Sequence, residues 1–124
     1  MSDIIYNEES YLIIGICMEV RRILGKGHSE VVCRDAIEYE LLKKGVLFAR
    51  EKKYEVEYKD IILPHFYFAD FVVLDKIILE IKAVECLASG SIKQTLNYLA
   101  TSRLKLGLLV NFGEDSLTYK RIVL

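Results

Sequence analysis

The sequence predicts a mixed α/β sandwich, a central sheet flanked by helices. Three observations lead there. Two segments with helical periodicity open the chain. A block of alternating and strongly apolar runs follows, and a further helical segment then separates this block from a nearly continuous apolar strand.

From Glu8 to Leu24 the residues Ile13, Ile16, Cys17, Val20, Ile23 and Leu24 recur at helical spacing, with Asn7 as the cap and Gly25 as the stop. Gly25-Lys26-Gly27-His28 is a tight connection. Ser29 then caps a second helix that runs to Lys44 and closes at Gly45. Tyr54-Glu55-Val56-Glu57-Tyr58 alternates at period two, as a half-exposed strand does, and Lys59-Asp60 turns it into Ile61-Ile62-Leu63. Pro64 interrupts the ladder and marks an edge, a bulge or a strand end. Phe66 to Leu74 and Ile77 to Ala83 are strongly apolar strands joined by a hairpin turn at Asp75-Lys76. Ser91 to Ser102 is expected to be a helix that buries Ile92, Thr95, Leu96 and Leu99. Leu104 to Asn111 suits a strand covered on both faces, and Tyr119 to Leu124 is one more strand.

At 124 residues the chain has the length of a single domain, 1–124, with room for a real core. A hydrophobic fraction of 52% and a single proline argue against linkers and disorder. The formal net charge of −1 excludes a global basic field, so nucleic acid has to be held by a local patch or with a partner's help. Cys17, Cys33 and Cys86 are odd in number and lack metal-binding spacing, which points to reduced thiols and a cytoplasmic compartment. The start, Met1-Ser2-Asp3-Ile4-Ile5, lacks the plan of an export signal, and no apolar run approaches membrane-spanning length. A soluble protein without a membrane partner is expected.

Two carboxylates and an amine inside apolar strands need a chemical reason: Asp70 in Phe66–Leu74, and Glu80-Ile81-Lys82 in the next run. Side chains alternate along a strand, so Glu80 and Lys82 share one face while Ile81 takes the other. Asp70 and Glu80 are hard oxygen donors suited to Mg2+ or Mn2+, and the Ile81 carbonyl is a further candidate ligand. Lys82 is placed to orient a water or to stabilise charge on phosphorus. Acid, then acid-x-lysine, on adjacent strands is what metal-dependent hydrolysis of a phosphodiester requires.

Asp70…Glu80-x-Lys82 resembles the PD-(D/E)XK nuclease signature, and Gln94-x-x-x-Tyr98 on the next helix is similar to the QxxxY motif of the RecB-like branch. Almost the whole chain resembles the small bacterial GxxExxY proteins of that superfamily. The likeness runs through Leu24-Gly25-Lys26-Gly27, Glu30, Leu79 to Glu85, Gln94, Tyr98, Leu106 to Phe112 and the ending Lys120 to Leu124. The resemblance implies a restriction-endonuclease-like fold and metal-dependent cleavage of DNA or RNA. It also implies metal contact by Glu30 and substrate contacts by Gln94 and Tyr98. Gly27-x-x-Glu30-x-x-Cys33 stands where the family has tyrosine last, so Cys33 departs. Phe66, four residues before Asp70, replaces a frequent glycine, and Phe68 stands where many of these proteins have arginine.

Plainer roles compete at each position. Asp70 suits a strand end, Glu30 compensates a helix dipole, Lys82 marks an exit to solvent, and Gln94 with Tyr98 suits an ordinary helix face. His28 and His65 read as cap or surface residues, and the strand tyrosines as packing. Arg21-Arg22, Lys43-Lys44, Lys52-Lys53, Lys93, Arg103 and Lys105 are the available phosphate contacts, balanced by eighteen acidic residues. Two functions stay open at this point. One is a Mg2+- or Mn2+-dependent nuclease. The other is a nuclease-fold binding or regulatory module acting through a protein partner or as a homodimer.

Overall fold

The computed structural model describes residues 4–124; Met1-Ser2-Asp3, part of the start read above as lacking an export signal, lie outside the described residues. The elements are α1 (Asn7–Leu24), α2 (Glu30–Lys43), β1 (Phe48–Tyr58), β2 (Ile61–Val73), β3 (Ile77–Lys82), α3 (Ser89–Ser102), β4 (Leu106–Asn111) and β5 (Thr118–Val123). The strands form one sheet in the order β1-β2-β3-β4-β5. All neighbours are antiparallel except β3 and β4, which run parallel. Only that pair is joined through a helix, because a parallel connection has to return to the start of the next strand.

Local chemistry sets the helix ends. Glu8 and Glu9 sit in the first turn of α1 and Arg21 and Arg22 in its last, both matched to the helix dipole. Asn7 lies inside the helix instead of capping it, and Tyr6 takes the cap position in a left-handed conformation. Gly25 ends α1 with φ 73 and donates its N–H to the Arg21 carbonyl, a geometry glycine adopts without strain. Ser29 caps α2 as expected, its side chain accepting from the Val32 N–H at 3.5 Å.

The sheet is the middle layer. On one face Phe71, Val73, Leu79, Ile81, Leu108 and Val110 pack under α1 and α2, against Ile13, Cys17, Val20, Ile37 and Leu41. On the other, Ala69, Val72, Ile78, Leu109 and Ile122 pack with Tyr98 and Leu99 of α3. All six residues of β4 are buried, as a doubly covered strand requires. Truncating one of these buried leucines, such as Leu79 or Leu108, typically costs about 2–5 kcal/mol.

Two strands run longer than their sequence pattern. β1 begins at Phe48, because Phe48 packs on Phe71 with ring centroids 6.0 Å apart and Arg50 pairs with Asp35 of α2 at 2.8 Å. Ion pairing lets charged residues occupy a strand face that period-two hydrophobicity does not reveal. β2 runs unbroken through Pro64. Glu55 pairs with Phe66 but Glu57 with Ile62, so a bulge takes up Pro64 and its missing N–H. Among the β2–β3 turn residues, Leu74 and Asp75 are both left-handed, and the Lys76 N–H closes on the Val73 carbonyl.

Candidate active site

The β2–β3 ladder pairs Val73 with Ile77, Val72 with Ile78 and Phe71 with Leu79, and then stops. Asp70 and Glu80 come next, and their side chains take over the bonding. The Asp70 N–H donates to Glu80 Oε2 at 2.7 Å, and the Ile81 N–H donates to Asp70 Oδ2 at 2.8 Å. A reversal of strand phase aims Asp70 into this gap. Phe71 and Val73 face α1 and α2, whereas Tyr67 and Ala69 face α3, although all four positions are odd. The neighbouring strand reverses at the same level. Phe48 packs toward the α1–α2 side and Tyr54 toward α3, with Glu51 between them at φ 52. Re-aiming a side chain beside a site is a recurrent use of such irregularities.

A third carboxylate comes from α2, where the Ser29 cap starts the helix with Glu30 facing the end of β3. Glu30 Oε2 accepts from the Ala83 N–H at 3.2 Å. Asp70, Glu80 and Glu30 therefore follow one plan: each fixes one oxygen on a main-chain N–H of β2 or of the β3 end, leaving its second oxygen for another partner. Arg34, one turn beyond Glu30, approaches two of those second oxygens. Its Nη1 lies 3.6 Å from Glu30 Oε1 and 3.8 Å from Asp70 Oδ1. Lys82 is half-buried and forms no ion pair among the described residues.

Buried Asn111 holds the floor of the site. Its Oδ1 accepts from Val84 and Gly113 N–H at 3.0 and 3.1 Å, and its Nδ2 donates to the Val84 carbonyl at 2.9 Å and to Glu114 Oε2 at 2.7 Å. The Phe112 N–H adds a bond to the Lys82 carbonyl at 2.8 Å. Gly113 is required here, since a Cβ would overlap the main chain of Ala83 and Val84. The segment 82–84 is thus tied to the end of β4, and Lys82 leaves the sheet from a fixed base.

The electrostatics follow from this crowding. Burial, then the charge of Asp70, pushes the Glu80 carboxyl up to about 8, although Glu80 accepts a main-chain hydrogen bond and has Lys82 and Arg34 nearby. Asp70 is also raised, chiefly by burial, against the opposing pull of the Ile81 N–H and Arg34. The pair is an acidic site short of positive charge. Burial, then Glu80 and Asp70, raises the Tyr98 phenol to about 12, so Tyr98 keeps its proton. Its ring packs edge-on against Tyr67 with centroids 5.4 Å apart.

The structure brings Asp70, Glu80, Lys82, Glu30 and Tyr98 to one end of the β2–β3 pair, with the Ile81 backbone of β3 turned toward Asp70 on β2. Gln94 lies one turn from Tyr98 but is exposed, so the two differ in burial while sharing a helix face. Among the described residues no three His, Cys, Asp or Glu side chains converge closely enough to form a ready cation cage, because Glu30 is turned toward Ala83 and Arg34. Sequence reasoning missed Arg34 and Asn111. The helical spacing of Glu30 and Arg34 was a signal for the first; a buried amide at a strand end has none.

A five-stranded mixed sheet between helices, with acid and acid-x-lysine where a hairpin ladder stops, defines the restriction-endonuclease-like class of α/β folds. The chain belongs to the PD-(D/E)XK nuclease superfamily, whose family model matches residues 7–122. Its structure is similar to the crystal structure of SSO0001, at 19% identity and a TM-score of 0.62, over 76% of this chain and 50% of that one. It is also similar to an alkaline exonuclease from Laribacter hongkongensis, at 16% identity and a TM-score of 0.55, over 99% of this chain and 72% of that one. At these identities the likeness is one of fold. No curated protein matches the sequence. Among the described residues no helix is long and apolar enough to cross a membrane.

Proposed function

We propose that this chain is a Mg2+- or Mn2+-dependent nuclease that hydrolyses phosphodiester bonds of DNA or RNA, working as one domain in the cytoplasm. Its motifs fit the GxxExxY group and the RecB-like branch of the superfamily. The observation that carries the reading is the shared plan of the three carboxylates. Asp70, Glu80 and Glu30 are each locked by one oxygen on the main chain with the other oxygen available, beside a Glu80 that burial and Asp70 raise to about 8. Hard oxygen donors, one of them held protonated for want of positive charge, suit a hard divalent cation, which Asp70, Glu80, the Ile81 carbonyl and Glu30 would hold. When bound, that ion supplies Lewis acidity and a more acidic water.

The chain's own residues account for the rest. Lys82, tied through Asn111 and Phe112, orients the attacking water and offsets charge that develops on phosphorus. Tyr98 donates a hydrogen bond to substrate or to Glu80, and exposed Gln94 meets the polynucleotide backbone. The test offers linear and circular DNA, single strands and RNA with Mn2+ to wild type, Asp70→Asn and Lys82→Ala, and measures Mn2+ binding by calorimetry. Cleavage by wild type alone is expected, with loss on the order of 10³-fold or more in either variant. Activity that survives both substitutions sinks the reading.

A second reading is a nuclease-fold module that acts through a protein partner or a second copy. It is favoured by Phe66 and Phe68, both about half-exposed on the hairpin arm and stacked edge-to-face at 5.6 Å. A wild-type protein that binds Mn2+ yet cleaves none of these substrates would put that reading first.

A further inference from the structure

We infer that Arg34 contacts substrate, taking a non-bridging oxygen of the phosphate that lies against Asp70 and Glu80; this rests on the nuclease reading above. An arginine that serves only as a structural counter-ion grips its carboxylates directly, in short charge-assisted hydrogen bonds. Arg50 does this in the same molecule, with Nη1 at 2.8 Å from Asp35 and the guanidinium over the Phe71 ring. Arg21 likewise donates through Nη2 to the carbonyls of Glu114 and Asp115 at 3.1 and 3.2 Å.

Arg34 does not. Its approaches to Glu30 and Asp70 stop at 3.6 and 3.8 Å, too long for hydrogen bonds, and its side chain is only 19% exposed. Its Nε is buried with no acceptor among the described residues, as is that of Arg21, but Arg21 spends its Nη2 on two carbonyls whereas no Arg34 donor reaches an acceptor within hydrogen-bond distance. A guanidinium carries five donors in a rigid fork, and leaving them unspent in a half-dry pocket is costly unless an acceptor arrives. A tetrahedral phosphate is the acceptor whose geometry fits that fork. The position suits the role, since Nη1 lies beside the free oxygens of Glu30 and Asp70, at the edge of the proposed ion site. The helix supports it too, because Arg34 is one turn after Glu30 on α2, whose start is fixed by the Ser29 cap. A lysine here would keep the charge and lose the fork.

The experiment follows the Arg34 Nε–H signal in a nitrogen–proton correlation spectrum while thymidine 5′-phosphate is added with Mg2+. In parallel, thymidine 5′-phosphate binding and nucleic-acid cleavage are compared in wild type, Arg34→Lys and Arg34→Met. A saturable shift of the Arg34 signal is expected. Arg34→Lys should bind the nucleotide about 10-fold more weakly and cleave with kcat/KM lower by about 100-fold. If wild type cleaves nucleic acid but the Arg34 signal stays put, the role of Arg34 is overturned and the nuclease reading stands. If the signal moves but nothing is cleaved, the phosphate contact stands and the nuclease reading falls. If neither happens, both fall. The wild-type spectrum decides the contact even where a variant fails to fold.

Discussion

Replacing Glu80 by glutamine should stabilise the protein when divalent ions are removed, and more so as the pH rises. Glu80 is 4% exposed, and its carboxyl is pushed from 4.5 up to about 8, first by burial and then by Asp70. A carboxyl raised in the folded state favours folding fully only below its unfolded value. Between 4.5 and about 8 the folded protein keeps a proton that the unfolded chain has released, so stability falls as pH climbs through that window. The slope is about 1.4 kcal/mol per pH unit, which totals on the order of 5 kcal/mol across the window. Local relaxation and coupling to Asp70 reduce what a substitution recovers to about 2 kcal/mol. For a domain of this size that corresponds to about 8 °C in Tm. Glutamine is nearly isosteric and still accepts from the Asp70 N–H. The assay is thermal unfolding by circular dichroism in chelator, wild type against Glu80→Gln, from about pH 5 to about pH 8.5. The two should melt together near pH 5 and separate above it. Added Mn2+ should then raise the wild-type Tm and leave the variant unmoved. A variant that melts below wild type at the alkaline end, or a gap that does not widen with pH, refutes the reasoning.

Other perturbations test the frame around the site. Asn111→Ala leaves Val84 and Gly113 without their buried partner and should cost about 3 kcal/mol in denaturant unfolding. Gly113→Ala forces a Cβ into the main chain of Val84 and should cost about 2 kcal/mol or more, together with loss of any activity that depends on Lys82. Glu51→Gly relieves a left-handed residue at φ 52 and should gain about 1 kcal/mol in the same measurement; a loss instead would mean that the Glu51 side chain has a bonding role. Tyr98→Phe should leave the Tm within a few degrees and weaken substrate binding several-fold, as removal of one donor does.

The sequence showed the root of the site better than its surroundings. Asp70, Glu80 and Lys82 stood out because charge inside an apolar strand is improbable without a partner, and Glu30 only through the resemblance of Gly27-x-x-Glu30 to the family motif. The order of helices and strands was legible for the same reason, since alternation and helical spacing are strong wherever one face is buried. Where ion pairs replace apolar contacts the pattern fades. Arg50 and Glu51 disguised the start of β1, and of the edge, bulge or strand end that Pro64 allowed, the structure takes the bulge, opposite Val56. Arg34 drew no reading from the sequence. Its spacing from Glu30 was legible, but its approach to Asp70, far away in the chain, is reported by no local window. The reversal of strand phase at Glu51 and Asp70 has no compositional trace, because it is a property of backbone conformation on two strands at once.

The way the three carboxylates are moored also equips the protein with its own indicators. The amide protons of Asp70, Ile81 and Ala83 each point at one oxygen of Glu80, Asp70 and Glu30 respectively. An amide's resonance and its exchange with solvent respond to the charge of the group it donates to. Three backbone signals therefore read three acids separately, without a label and without turnover. Proton uptake by one acid, or capture of an ion by the set, becomes visible residue by residue in the ordinary amide spectrum. The sheet, in closing its last rungs with side chains, has wired its chemistry into its own backbone.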